Sequence, residues 1–174
     1  MNGQLEITYE RGALPGYVRD ILTAGASRLF LPVGFVEDGG LLSGHFRTEG
    51  YRRLSSVASA GTGELLGIVL AILHGVWQTE RIYLFSELYE IRNDCIYVEP
   101  DFRDVRLAFI PAAEETPLTD KLTVLLQSMR GLVSREGYGY IDKAAAFLQE
   151  DWGYRALIHR LEELRREVYL CSVK

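Results

Sequence analysis

Acidic, imidazole and thiol side chains are spread through this 174-residue chain, and their spacing decides what chemistry they could share. Glu99, Asp101 and Asp104 crowd one short turn and offer oxygen ligands, but they lack the spacing and the glycine of an EF-hand loop. Glu87 and Glu90 form a carboxylate pair of the kind used in acid–base chemistry, although any acidic chain offers such pairs. His45, His74 and His159 stand far apart and form no H-E-x-x-H, so each reads as a structural histidine. Cys95 and Cys171 make no C-x-x-C and read as free thiols of a reducing compartment, Cys95 as a small buried hydrophobe. The run AGTGE at 60–64 has the glycines of a phosphate loop. Yet no strand leads into it, no lysine follows it, and Glu64 would repel a phosphate at the helix start. Neither G-x-x-x-x-G-K-[ST] nor G-x-S-x-G occurs. The reading of the residues is therefore no catalytic set, no metal site and no cofactor.

The elements that position these residues follow from periodicity. Leu5, Ile7 and Tyr9 alternate with polar residues and predict a strand. Val18, Ile21, Leu22 and Leu29 fit a helix with Pro15 in its first turn. Residues 30–36 predict a strand, EDGG at 37–40 a turn, and 41–46 its hairpin partner. Residues 55–63, SSVASAGTG, form the linker, which divides a small strand/helix lobe at 1–55 from a mainly helical lobe at 56–174. Residues 64–81 are apolar nearly all round, which predicts a helix buried on most sides, with Thr62 as its N-cap. Short strands are expected at 82–85, 96–98 and 105–109, the last two forming a hairpin over 94–110. Leu118, Leu122, Leu125, Leu126 and Met129 recur at helical spacing; the glycines of REGYGY interrupt, and helices follow at 142–150 and 154–169. The fold class is α+β.

A net charge of -5 argues against a nucleic-acid partner, and the densest basic patch, Arg160, Arg165 and Arg166, is interrupted by glutamates. The longest apolar run, 65–76, is broken by Gly67, His74 and Gly75 and is too short to span a bilayer. The start MNGQLEITYERG lacks the pattern of a signal peptide, so the expected location is cytoplasmic.

Residues 93–111 read NDCIYVEPDFRDVRLAFIP, a polar pair, two short apolar runs about an acidic turn, and a closing proline. This cadence resembles the hairpin after a protein-kinase catalytic loop, and the order of elements resembles a reduced, two-lobed protein kinase. Asp94, Ile96, Tyr97, Val98, the turn 99–104 and Pro111 also resemble a bacterial domain of unknown function that precedes forkhead-associated (FHA) domains. The tail KLTVLLQSMRGLV and the helix ahead of the hairpin extend that resemblance over about residues 3–150. More distantly, the architecture is similar to the EssB-type pseudokinase domain of type VII secretion. The kinase resemblance implies an aspartate five positions before a metal-binding asparagine. If Asp94 stands for that asparagine, the aspartate position is Tyr89; if Asn93 does, it is Leu88. The carboxylate of D-F-G falls at Ala108 or Phe109, no G-x-G-x-x-G occurs in 1–40, and 1–46 contains no lysine.

The resemblance implies a non-catalytic, pseudokinase-like interaction module of a larger FHA-containing signalling or secretion-related protein. Its partner would be a phosphorylated signalling or secretion component. Tyr138, Tyr140, Trp152 and Tyr154 cluster at the breaks between the last helices and are the candidate partner anchors, because aromatic residues dominate interfaces. The alternative is a ligand-sensing domain that holds a small anion or nucleotide in the inter-lobe cleft without phosphoryl transfer, through Arg47, Arg52 and Arg53. An enzyme of another type would need two converging carboxylates.

Overall fold

The computed structural model describes residues 3–151 and 153–171. The chain opens with β1 (Gln4–Tyr9) and α1 (Gly16–Thr23), which follows Pro15 and buries Val18 and Leu22. A hairpin of β2 (Val33–Asp38) and β3 (Leu41–Arg47) completes an antiparallel sheet of order β1-β3-β2. Asp38 pairs with Leu41, so the turn is the two residues Gly39 and Gly40, with φ of 57° and 84°. Both values favour glycine, and that turn geometry matches the twist of the flanking strands.

A second sheet has the order β4 (Arg52–Arg53), β5 (Ile96–Val98), β6 (Val105–Leu107). The two sheets are tied through residues 29–31. Phe30 bridges Leu107 in parallel, with Leu31 N–H donating to Leu107 C=O at 2.9 Å and Leu107 N–H to Leu29 C=O at 2.7 Å. The apolar run expected to be one strand over 30–36 is therefore shared: its start joins the second sheet and its end forms β2.

Along the chain, α2 (Thr62–Glu80) comes between β4 and β5, and its buried side chains include Leu65, Leu66, Ile68, Val69, Ile72, Leu73 and Val76. Thr62 is its first residue rather than its cap. The Glu64 carboxylate reaches back to accept from Gly61 N–H at 2.7 Å, which satisfies an end donor without a side chain at 61. Three further helices follow, α3 (Leu118–Met129), α4 (Tyr138–Leu148) and α5 (Tyr154–Cys171). Helix α5 lies close on α2 at two glycines. A Cβ at Gly63 would stand 2.8 Å from the Tyr169 ring, and one at Gly67 would stand 3.0 Å from the Arg165 guanidinium.

Two expected elements differ. Residues 82–85 are not a strand: Ile82, Tyr83 and Leu84 N–H bond back to Thr79 or Glu80 carbonyls, and Tyr83 takes a φ of 61°. The chain there unwinds from α2 and buries only Leu84 fully. Helix α4 begins at Tyr138, not near 142, because Gly137 has a near-helical φ of -76° and Gly139 faces open space, so neither glycine breaks it.

Candidate functional site

The segment between α2 and β5 and the residues just after β6 meet at the junction of the two sheets. Tyr89 bridges Pro111, Glu90 N–H donates to Ile110 C=O at 2.8 Å, and Ala112 N–H to Leu88 C=O at 3.0 Å. Three rings fill the junction. Phe30 packs edge-on to Tyr89 with centroids 5.0 Å apart, and Phe109 lies 5.5 Å from Phe30 and 5.7 Å from Tyr89. From β1, the buried Tyr9 hydroxyl donates to Phe109 C=O at 2.8 Å. Burial holds the Tyr9 and Tyr89 hydroxyls protonated well beyond the usual tyrosine range.

Lys121 fastens this junction from below. It is buried on α3, and its Nζ donates to the carbonyls of Ser86 and Tyr89, each at 2.8 Å. Desolvation lowers its pKa from the ordinary lysine value. Nothing but an ammonium or a comparable donor would satisfy both carbonyls from that direction.

A chain of known structure has a similar overall fold. A divergent kinase that lacks the glycine-rich loop and regulates membrane ultrastructure of the Toxoplasma parasitophorous vacuole superposes with a TM-score of 0.57. Its identity is 17%, over 95% of this chain and 72% of that one. The fold is that of a reduced protein kinase. The cytoplasmic fragment of Staphylococcus aureus EssB matches with a TM-score of 0.44 and 12% identity, over 88% of this chain and 81% of that one. No protein-family model and no curated protein matches the chain.

The residues to which the kinase resemblance would assign charged roles are apolar or aromatic and at least half-buried. Tyr89, Ala108 and Phe109 are buried, and Leu88 is half-buried. The Asn93 Oδ1 is buried without a hydrogen-bond partner among the described residues. Ala108 and Phe109 are 0% and 1% exposed, so neither position is open to solvent. Glu87 and Glu90 both lie within this segment, but Glu90 Oε1 accepts from Ala113 N–H at 3.2 Å and Glu87 Oε2 from the Ser86 hydroxyl at 3.5 Å, so each has its own neighbour.

The remaining candidates lie elsewhere. Arg47, Arg52 and Arg53 come together around one surface cavity of about 1290 Å³, which also includes Gly3, Gln4 and Glu49. Arg52 stacks over Phe102 at 5.1 Å and donates to Pro100 C=O at 3.3 Å. Arg53 stacks over Tyr97 at 5.7 Å and donates to its hydroxyl at 3.1 and 3.2 Å. None of the residues of the aromatic junction lines this cavity. Tyr138, Tyr140 and Tyr154 are half-buried and face different neighbours. Arg130 covers the Tyr138 ring at 4.6 Å, Lys143 the Tyr140 ring at 5.6 Å, and the Tyr154 hydroxyl donates to Glu80 Oε1 at 2.5 Å. Trp152 lies outside the described residues. His74 and His159, distant in sequence, line one groove with Trp77 and Tyr154 between α2 and α5.

Sequence reasoning missed Tyr9, Phe30 and Lys121. A signal for Lys121 was present: it falls on the apolar face defined by Leu118, Leu122 and Leu125, where a lysine needs partners. No comparable local signal marks the Tyr9–Phe109 bond, which spans 100 residues.

Proposed function

We propose that this domain is a non-catalytic, pseudokinase-like interaction module. The observation that carries the reading is the aromatic junction. Where phosphoryl transfer needs an aspartate to orient the acceptor and a carboxylate to hold metal, the chain has Tyr89 or Leu88 and Ala108 or Phe109. Tyr9, Phe30, Tyr89 and Phe109 pack together around these positions. Tyr9 and Phe30 come from the proposed small lobe at 1–55, and Tyr89 and Phe109 from the proposed helical lobe at 56–174, so this packing would cross the proposed division. The resemblance to the domain that precedes FHA domains supports a place in a larger, cytoplasmic signalling or secretion-related protein. There the module would contact a protein partner, with Tyr138, Tyr140, Trp152 and Tyr154 as aromatic anchors.

The test is incubation with γ-labelled ATP and magnesium or manganese, together with thermal unfolding in ATP, ADP and GTP. A ligand that binds only the folded state raises the midpoint. The expected result is no label on the chain or on a general acceptor protein, and no magnesium-dependent rise. Label transfer that requires the metal would refute the reading.

A further inference from the structure

The small sheet has an unguarded edge, and the basic cavity lies at one end of it. In the order β1-β3-β2, no strand among the described residues pairs with the outer side of β1. An exposed edge strand is a template for another chain, and proteins usually blunt it with lysine, proline, a bulge or short length. Strand β1 is QLEITY, six residues in unbroken register with β3, with no proline and no basic residue. The opposite edge differs: β2 ends in Glu37 and Asp38, and Arg19 of α1 reaches Glu37 at 3.6 Å.

The charge at the end of β1 is the second, independent observation. Gly3 and Gln4 border the cavity that Arg47, Arg52 and Arg53 line, against the single carboxylate of Glu49. This local excess of positive charge stands in a chain of net charge -5. Arg52 and Arg53 are held in place by stacking on Phe102 and Tyr97, and Arg47 has no side-chain partner among the described residues. A guanidinium fork matches planar or tetrahedral oxyanions better than a point-charge ammonium does. The lining residues are exposed or half-exposed, so there is no apolar slot to bury a nucleobase. Glu6 is the one charged side chain of β1 and would repel a second negative charge placed beside it.

We infer that an extended segment of a protein partner pairs with the outer edge of β1 and sets an anionic side chain, phosphorylated or carboxylate, among Arg47, Arg52 and Arg53. The main-chain ladder supplies the affinity and the arginines fix the register. This rests on the reading of the domain as an interaction module and names the chemistry of what it binds.

The experiment uses the whole chain and fluorescent twelve-residue peptides rich in threonine and valine. One end carries a phosphothreonine, three glutamates or three glutamines. Binding is followed by polarisation, and backbone protection by hydrogen exchange. An anionic peptide should slow exchange at residues 4–9, and the glutamine peptide should bind about tenfold more weakly or worse, the scale of one lost charge-assisted contact. Arg47→Gln should weaken the anionic peptides by a similar factor while leaving exchange of the free protein unchanged. The phosphothreonine and glutamate arms tell which anion is preferred. Binding without protection at 4–9, equal affinity for the glutamine peptide, indifference to Arg47→Gln, or no protection by any peptide at millimolar concentration would each overturn the inference. None of those outcomes bears on phosphoryl transfer, on which the module reading stands or falls.

Discussion

Tyr9→Phe removes one oxygen and tests whether the small sheet is fastened to the helical part through a dry hydrogen bond. The ring stays, with its tilted contact on Phe35 at 5.9 Å, so little apolar burial is lost. What goes is the donor to Phe109 C=O, in a site where Tyr9 is 3% and Phe109 1% exposed. A buried acceptor left unpaired costs about 1–3 kcal/mol. For a chain of this size each kcal/mol moves the midpoint by roughly 2–4 °C, so a fall of about 6 °C is expected for a mid-range loss. A second readout comes from alkaline pH. Burial raises the folded-state pKa of Tyr9 above its unfolded value of 10.0. Below that unfolded value both states hold the proton and the bond contributes in full. Above it the unfolded chain sheds a proton that the folded chain keeps, so stability falls by about 1.4 kcal/mol per pH unit for each such tyrosine. The variant should therefore lose stability less steeply than the parent above pH 10 or so. Calorimetry at neutral pH and urea unfolding between pH 9 and pH 11 read both effects. A variant with an unchanged midpoint and an unchanged alkaline slope would show that Tyr9 does not join the lobes as argued.

Three further substitutions probe the same framework. Gly137→Ala would place a Cβ on the Thr62 hydroxyl, and overpacking of this kind costs about 1–3 kcal/mol; the added substitution Thr62→Ala should recover part of that loss in a double-mutant cycle. Lys121→Met strips the donor from the Ser86 and Tyr89 carbonyls, with an expected loss of about 1–3 kcal/mol and hydrogen exchange at 86–91 rising before the rest of the chain. Ala108→Asp puts a carboxylate where the kinase resemblance would have one, but at a fully buried site. It should cost about 3–5 kcal/mol near neutral pH. The loss should shrink as the pH falls toward and below the unfolded aspartate pKa of about 3.9, where the carboxyl becomes protonated in both states, and magnesium with ATP should recover none of it.

Much of the scaffold was legible because the signals were local. The alternation in β1, the EDGG turn, the all-round apolar α2 and the two runs about the acidic turn 99–104 each specify an element from neighbours within a few residues. Failures came where distant groups decided. Residues 82–85 have strand-like composition, yet the free carbonyls at the end of α2 capture their amides, and a strand there would have no partner. Phe30 looked like the start of β2 and instead pairs with Leu107, 77 residues away, a choice made by the second sheet. The three arginines were visible as a basic connector. Their convergence was not, because Arg47 and Arg52 are brought to one cavity by the turn through Gly50, with its φ of 84°, and by the pairing of Arg52 with Val98.

Under the proposed reading, the junction would explain how a kinase fold can lose its charged centre and still cohere. Carboxylates that hold metal repel each other and stay solvated, so a working centre is a locally weak point that the rest of the fold must support. Here Phe30, Tyr89 and Phe109 pack with ring contacts of 5.0–5.7 Å, and a tyrosine from the small sheet bonds to Phe109. Those contacts bury apolar area between the lobes and oppose the hinge motion that phosphoryl transfer uses to admit and release nucleotide. A rigid junction suits a module whose surface must be presented in one shape. Loosening it through Tyr9 should therefore change what the two outer surfaces present together, the β1 edge with its arginines and the aromatic turns of the last helices. Under the proposed reading, Tyr9→Phe would weaken binding of a partner that spans both surfaces and leave a peptide that contacts only β1 unaffected.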